Sequence, residues 1–192
     1  MKIGVLAIQG DFAEHLVALK RIGVEGREVR LPEHLDGLQG LIIPGGESTT
    51  IGKLAVDFQL LEPLKQFGRV HAIWGTCAGA IFMSKDAHRD QPLLGLMDIT
   101  VERNAFGRQI ASFEVDLDAP YLPSFNGSSH PFHAVFIRAP LIESVHGDAQ
   151  ILTALPDGRI VAARQNRWLA TVFHPELTND DRFHHYFVEL AR

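Results

Sequence analysis

Short, unbroken apolar runs dominate the first half of this chain, at residues 2–8, 40–44 and 70–74. Runs of that length suit strands buried on both faces. Between them the rhythm shifts to a helical one. Phe12, Leu16, Leu19 and Ile22 form a stripe, with Asp11 and Glu14 as an N-cap pair and Gly23 as a stop. Residues 27–31 predict a second strand ended by Pro32, residues 35–40 a connector or single helical turn, and the stretch after Gly45-Gly46 a helix to about Phe67. The βαβαβ alternation predicts a parallel sheet wrapped by helices.

After about Gln91 the pattern changes. Residues 99–103, 110–115 and 134–138 partly alternate apolar with polar positions, as half-buried strands do. Residues 118–132 are rich in Pro, Ser and Gly and read as a surface loop. Pro156-Asp157-Gly158 separates two further strands, 151–155 and 159–165, and Asn166-Arg167 turns the chain into the apolar run 168–173. Residues 180–192 predict an amphipathic helix carrying Phe183, Phe187 and Leu190. The expected fold is α/β: one domain over residues 1–192, with a mostly parallel central sheet flanked by helices and an added antiparallel portion.

Composition narrows the function classes. The 192 residues are 46% hydrophobic and 21% charged, an ordinary globular balance. A net charge of −5 leaves no electrostatic footprint for nucleic acid or an anionic membrane. No apolar run is long enough to span a bilayer, and residues 2–8 lead into Gln9-Gly10-Asp11 without a cleavage site. A single cysteine makes no internal disulfide, so a cytoplasmic enzyme is expected. Asn126-Gly127-Ser128 is taken as a chance sequon. Ten histidines invite a metal reading, but no His-Glu-x-x-His is present. His184-His185 are adjacent, and surface histidines are expected instead. His130 and His133 remain unassigned, and neither metal nor cofactor is expected.

The candidate chemistry centres on Trp74-Gly75-Thr76-Cys77-Ala78-Gly79-Ala80, where the lone cysteine sits between a strand and a helix in a Gly-x-Cys-x-Gly frame. A lone cysteine is usually structural. A nucleophile on a strained strand-to-helix turn, however, needs small neighbours, and the helix end favours its thiolate. His174-Pro175-Glu176 follows the apolar run 168–173, so His174 can serve as general base and Glu176 can orient it. Gly45-Gly46 after the third strand can present backbone donors to an oxyanion, with the N–H of Ala78 as partner. A phosphate loop fails on count, because Leu54 stands after Gly52-Lys53 where Ser or Thr is required. Lys53, Lys65 and Lys85 read as solvated surface lysines.

Together these segments resemble the class I, triad-type glutamine amidotransferases. Within them the chain is similar to the family of glutaminase subunits of pyridoxal 5′-phosphate synthase. The triad motifs are shared widely; the finer resemblance is carried by residues 3–10, 44–50, 101–109, 136–140 and 173–178, which extend over essentially the whole chain. It implies hydrolysis of L-glutamine through a γ-glutamyl thioester on Cys77. Ammonia would then pass to a separate synthase subunit, which forms a large oligomeric core and builds pyridoxal 5′-phosphate. It also implies glutamine contacts at Gly46, Glu47, Ser48, Arg103, Ile137 and Arg138, with an arginine reading the α-carboxylate and Glu47 the α-ammonium. Outside that role, Arg103 would be a surface arginine paired with Glu102 or Glu114. A glutaminase weak alone and activated by docking is implied too, with the Gly45-Gly46 peptide as the adjustable element and Gln9 and Gly10 sensing the partner. The chain departs from the family at residues 118–132, longer than expected there. The rival readings are a glutaminase serving another synthase, a γ-glutamyl cysteine peptidase, and a catalytically silent scaffold.

Overall fold

A computed structural model of the chain describes residues 1–103, 112–124 and 130–192. Five strands make the parallel part of the main sheet: β1 (Lys2–Leu6), β2 (Glu25–Val29), β3 (Gly40–Ile43), β4 (Ala72–Thr76) and β12 (Trp168–Thr171), in spatial order β2-β1-β3-β4-β12. β11 (Ile160–Gln165), β9 (Leu141–Val145) and β6 (Met97–Glu102) continue it antiparallel, and β5 (Ser84–Asp86) pairs parallel with β6 at the edge. β10 (Gln150–Ala154) pairs with β11, and β7 (Ser112–Leu117) forms a separate ribbon with β8 (Phe132–Ile137). The expected mostly parallel sheet with an antiparallel extension is therefore what the chain builds.

The unbroken apolar runs follow from burial on both faces. Ile42 and Trp74 pack into one core layer with Leu19, Phe183 and Phe187; Leu41, Ile43 and Ile73 pack into the other with Ile51, Leu64 and Phe82. The first layer lies under α1 (Phe12–Arg21) and α5 (Arg182–Leu190), the second under α2 (Ser48–Asp57), α3 (Leu61–Val70) and the short α4 (Ala78–Met83). Each fully buried large apolar side chain contributes roughly 1.5–3 kcal/mol. An aromatic stack in the first layer, Phe183 against Phe132, Phe173 and Trp74, ties α5 to the sheet.

Several local expectations give way. The helix expected to run to Phe67 is two helices, because Gln59 turns the chain at φ 55° and lets Leu60 and Leu64 enter the same core as Ile51. Asp11 makes no capping hydrogen bond; its carboxylate faces His174 instead. β2 starts earlier than its apolar residues suggest, and Pro32 opens a 3₁₀ turn (Pro32–Leu35) in place of the turn expected at 35–40. β5 and β9 are short and only partly apolar, so the hydrophobic pattern does not announce them. The described edges of residues 118–132 run as the expected loop, with Asp118, Pro120, Pro123, Ser124, His130 and Pro131 exposed, but the loop is anchored: Ala119, Leu122 and Phe132 are buried, and the guanidinium of buried Arg182 donates to the carbonyls of His130 and Pro131. Asn126-Gly127-Ser128, residues 104–109 of the family-like segment, and the expected strand start at 110–111 lie outside the described residues.

Candidate active site

Four loops meet at the carboxyl ends of neighbouring strands, where the strand order reverses about β1 and β3 and open α/β sheets place their sites. β4 delivers Cys77. Its backbone is held at φ 48°, ψ −108°, and its N–H donates to the Thr171 carbonyl of β12 at 2.8 Å. A non-glycine residue in that region is strained, and here the strain turns the sulfur off the sheet edge. The flanking glycines are required by contact. A Cβ on Gly79 would lie 2.0 Å from the Ile43 carbonyl oxygen, and one on Gly75 would lie 2.5 Å from the Gly79 carbonyl. α4 has only six residues, so the charge partner of the sulfur is an imidazole more than a helix dipole.

That imidazole is His174, whose proton affinity is raised by Cys77 beside it. Its Nδ1 lies 2.7 Å from Glu176 Oε1, inside the 3₁₀ turn Pro175–Leu177 that follows β12. Burial works to lower the His174 pKa, but its interactions with Cys77 and Glu176 outweigh it and raise it to about 10. Burial raises Glu176 as well, against the lowering effect of His174. Asp11 Oδ2 stands 3.7 Å from the same His174 nitrogen. Asp11, His174 and Glu176 are the one grouping among the described residues with metal-ligand spacing, but the short bond to Glu176 already occupies His174 Nδ1.

In front of Cys77 opens a cavity of about 350 Å³, lined by Gly46, Glu47, Ser48, Ala78, Arg103 and Arg138 among others. That is the small end of the range for ligand sites, roughly 300–1,000 Å³. The structure thus gathers every residue expected at the site except the Ile137 side chain, which is exposed and does not line the cavity. As the C-terminal residue of β8, Ile137 points to the solvent side of its ribbon. Gln9 and Gly10 press on the glycine loop: Glu47 N–H donates to Gln9 Oε1 at 2.8 Å, and a Cβ on Gly10 would lie 1.7 Å from the Gly45 carbonyl oxygen. Gly46 itself sits at φ 152°. The Ala78 N–H belongs to the first helical turn, where donors have no intrahelical acceptor.

Two features escaped sequence reasoning. Glu47 is the N-cap of α2, accepting from the backbone N–H of Thr50 at 2.7 Å and from both threonine hydroxyls, Thr49 and Thr50. Burial opposes its ionisation, yet these bonds hold its pKa down at about 2. The same carboxylate takes a hydrogen bond from Arg103 Nη2 at 2.8 Å, so Arg103 pairs with Glu47 and not with Glu102 or Glu114. The second is that His15 and His184 are wholly buried behind Glu176, not surface residues. The apolar spacing was the available signal: His15 falls on the Phe12–Leu19 face of α1, and His184 lies between Phe183 and Phe187. His133 by contrast is exposed and bridges Asp116 and Glu114, and Lys65 and Lys85 are surface lysines paired with Glu62 and Asp98.

Sheet topology, a nucleophile elbow and a Cys-His-Glu arrangement define a class I amidotransferase-type fold. Comparison with solved structures agrees. A structure described as a glutamine amidotransferase superposes with a TM-score of 0.91 at 49% identity, covering 98% of both chains. A structure described as PurLQS from Thermotoga maritima shares the fold at a TM-score of 0.67 and 17% identity, over all of this chain and 98% of the other. The chain belongs to the SNO glutamine amidotransferase family, whose model matches residues 5–192. It is 56% identical over 195 residues to a Herpetosiphon aurantiacus protein named pyridoxal 5′-phosphate synthase subunit PdxT, covering 99% of this chain and 100% of that one. A Moorella thermoacetica protein of the same name is 53% identical over 192 residues, at 99% coverage of each.

Proposed function

We propose that this chain is the glutaminase subunit of a pyridoxal 5′-phosphate synthase, hydrolysing L-glutamine to L-glutamate and ammonia for the synthase subunit. The observation that carries the reading is Cys77, beside a His174 that is held by Glu176, at the floor of a cavity whose wall carries Arg103, Arg138 and the Gly46 backbone. His174 takes the thiol proton, and the sulfur attacks the side-chain amide carbon of glutamine. The oxyanion lies between the N–H groups of Gly46 and Ala78. His174 then protonates the departing nitrogen, ammonia leaves, and a γ-glutamyl thioester remains. Water, deprotonated by the same imidazole, splits that thioester and restores the thiol.

At the far end of glutamine, Arg103 reads the α-carboxylate and Glu47 the α-ammonium, each exchanging part of its bond to the other for the zwitterion; Ser48 and Arg138 complete the rim. The Ser48 hydroxyl suits this role, being buried with no hydrogen-bond partner among the described residues. The whole chain, residues 1–192, acts as one domain in the cytoplasm, docked on an oligomeric synthase core. No helix among the described residues is long and apolar enough to cross a membrane. Gln9 and Gly10, in contact with the Gly45-Gly46 loop, would transmit docking to the oxyanion donors.

The test is pyridoxal phosphate synthesis with glutamine as sole nitrogen source, in a mixture of synthase subunit, pentose phosphate and triose phosphate. Synthesis should require Cys77, and ammonium salts should restore it to the Cys77→Ala complex. Absence of glutamate release in the presence of the synthase subunit would refute the reading.

A further inference from the structure

Glu176 has two oxygens with different fates. Oε1 is committed to His174 Nδ1 at 2.7 Å, whereas Oε2 is fully buried with no well-aligned hydrogen bond among the described residues. The group facing Oε2 is His15 Nε2 at 3.4 Å, which also lies 3.2 Å from the Thr76 hydroxyl. On the other side of that ring, His15 Nδ1 lies 3.0 Å from His184 Nε2. Trp74 packs edge-on against both imidazoles, at 5.6 and 4.9 Å between centroids, and closes the pocket they share. An unpaired carboxylate oxygen in such a place is costly, so a donor aimed at it matters.

Only one arrangement of protons satisfies this row. Burial above all pushes the His15 pKa well down, and burial takes His184 to about 3, so both rings are neutral. Each then carries one N–H. If His15 donated from Nδ1, its Nε2 lone pair would face the carboxylate. His184 Nδ1–H, which has no partner among the described residues, would then be a buried orphan donor. With the protons on both Nε2 atoms, His184 donates to His15, His15 donates toward Glu176 Oε2 and Thr76 Oγ1, and the His184 nitrogen left bare is an acceptor. We propose that His15, fixed by His184 as the Nε2–H tautomer, is a positioning residue that holds the second oxygen of Glu176 and so keeps the first aligned on His174.

The inference rests on the catalytic reading of Cys77 and His174 above, but its primary test does not depend on the substrate. Nitrogen-15 spectra of histidine-labelled protein near neutral pH should show His15 and His184 each protonated at Nε2 and bare at Nδ1; an Nδ1–H form of His15 would overturn the proposal. Kinetics with the synthase subunit present give the second arm. His15→Leu should lower kcat for glutamine hydrolysis by roughly ten- to a hundredfold, the equivalent of one hydrogen bond to a charged group. His15→Gln, whose amide nitrogen reaches the Nε2 position, should restore most of that, while His15→Asn, which mimics Nδ1, should not. The rate of Cys77 alkylation by iodoacetamide should follow the same order, since it reads the thiolate with no amide substrate at all. A folded His15→Leu protein with unchanged kcat and alkylation rate, or equal rescue by Asn and Gln, would refute the role. A wild-type protein showing the Nε2 tautomers but no glutaminase activity would refute the proposed function and leave this geometry standing.

Discussion

The two sides of His174 are built differently. Behind it the site is enclosed: Glu176, His15, His184 and Trp74 are buried, and their contacts come from β4, α1 and α5, all anchored in one core layer. In front of it the site is open, and its charged groups, Glu47 and Arg103, are partly exposed and engaged with each other. The inner side is assembled on folding and does not need the substrate. Under the proposed function the outer side would give up an ion pair to admit a zwitterion, and the proposed oxyanion donor rests on a glycine loop leaned upon by Gln9 and Gly10. A buried, packed base thus coexists with a more exposed mouth, which under the proposed function suits a nucleophile that acts only when a partner completes the site.

The contrast can be broken from either side. The largest effect belongs to the reacting atom: Cys77→Ala should reduce glutamate release by on the order of 10⁴-fold or more while the chain still folds and binds the synthase subunit. Next is Glu176→Gln, where a misoriented base should lower kcat by roughly 10²–10⁴-fold with KM changed little. At the mouth the split should reverse. Arg103→Ala should raise KM for glutamine by roughly ten- to a hundredfold and leave kcat within a few-fold, as loss of ground-state binding does. A kcat collapse in that variant would mean that the ion pair shapes the catalytic geometry as well.

The smallest expected effect separates the sides by pH. His15 and His184 have folded pKa values below the unfolded value of 6.5, so the unfolded chain binds more protons. Their contribution is complete above about 6.5 and falls as pH drops toward 3 for His184. His174 has the opposite sign: raised to about 10, its contribution is complete below about 6.5 and is lost as pH rises through 10. Urea unfolding between pH 5 and 7 should therefore show a shallower loss for His184→Leu, by up to about 1.4 kcal/mol per pH unit.

Much of this was legible in one dimension. Continuous apolar runs announce strands covered on both faces, and Gly75 and Gly79 around Cys77 announce a turn where backbones touch. His174-Pro175-Glu176 after a buried run announces a base and its orienter on that same edge. These are local facts, set by side-chain volume, backbone freedom and spacing. What the sequence could not settle is which polar groups face each other, because that depends on elements far apart in the chain meeting at one point. Whether Glu47 caps its own helix, pairs with Arg103 or waits for an ammonium is decided by the path of the chain beyond β6. Whether ten histidines are solvated or two of them line an enclosed pocket behind the triad is decided by where α1 and α5 cross β4. The candidate nucleophile and its candidate base were determined by the sequence; the company they keep was determined by packing, because only packing removes the water that would otherwise make those partners interchangeable.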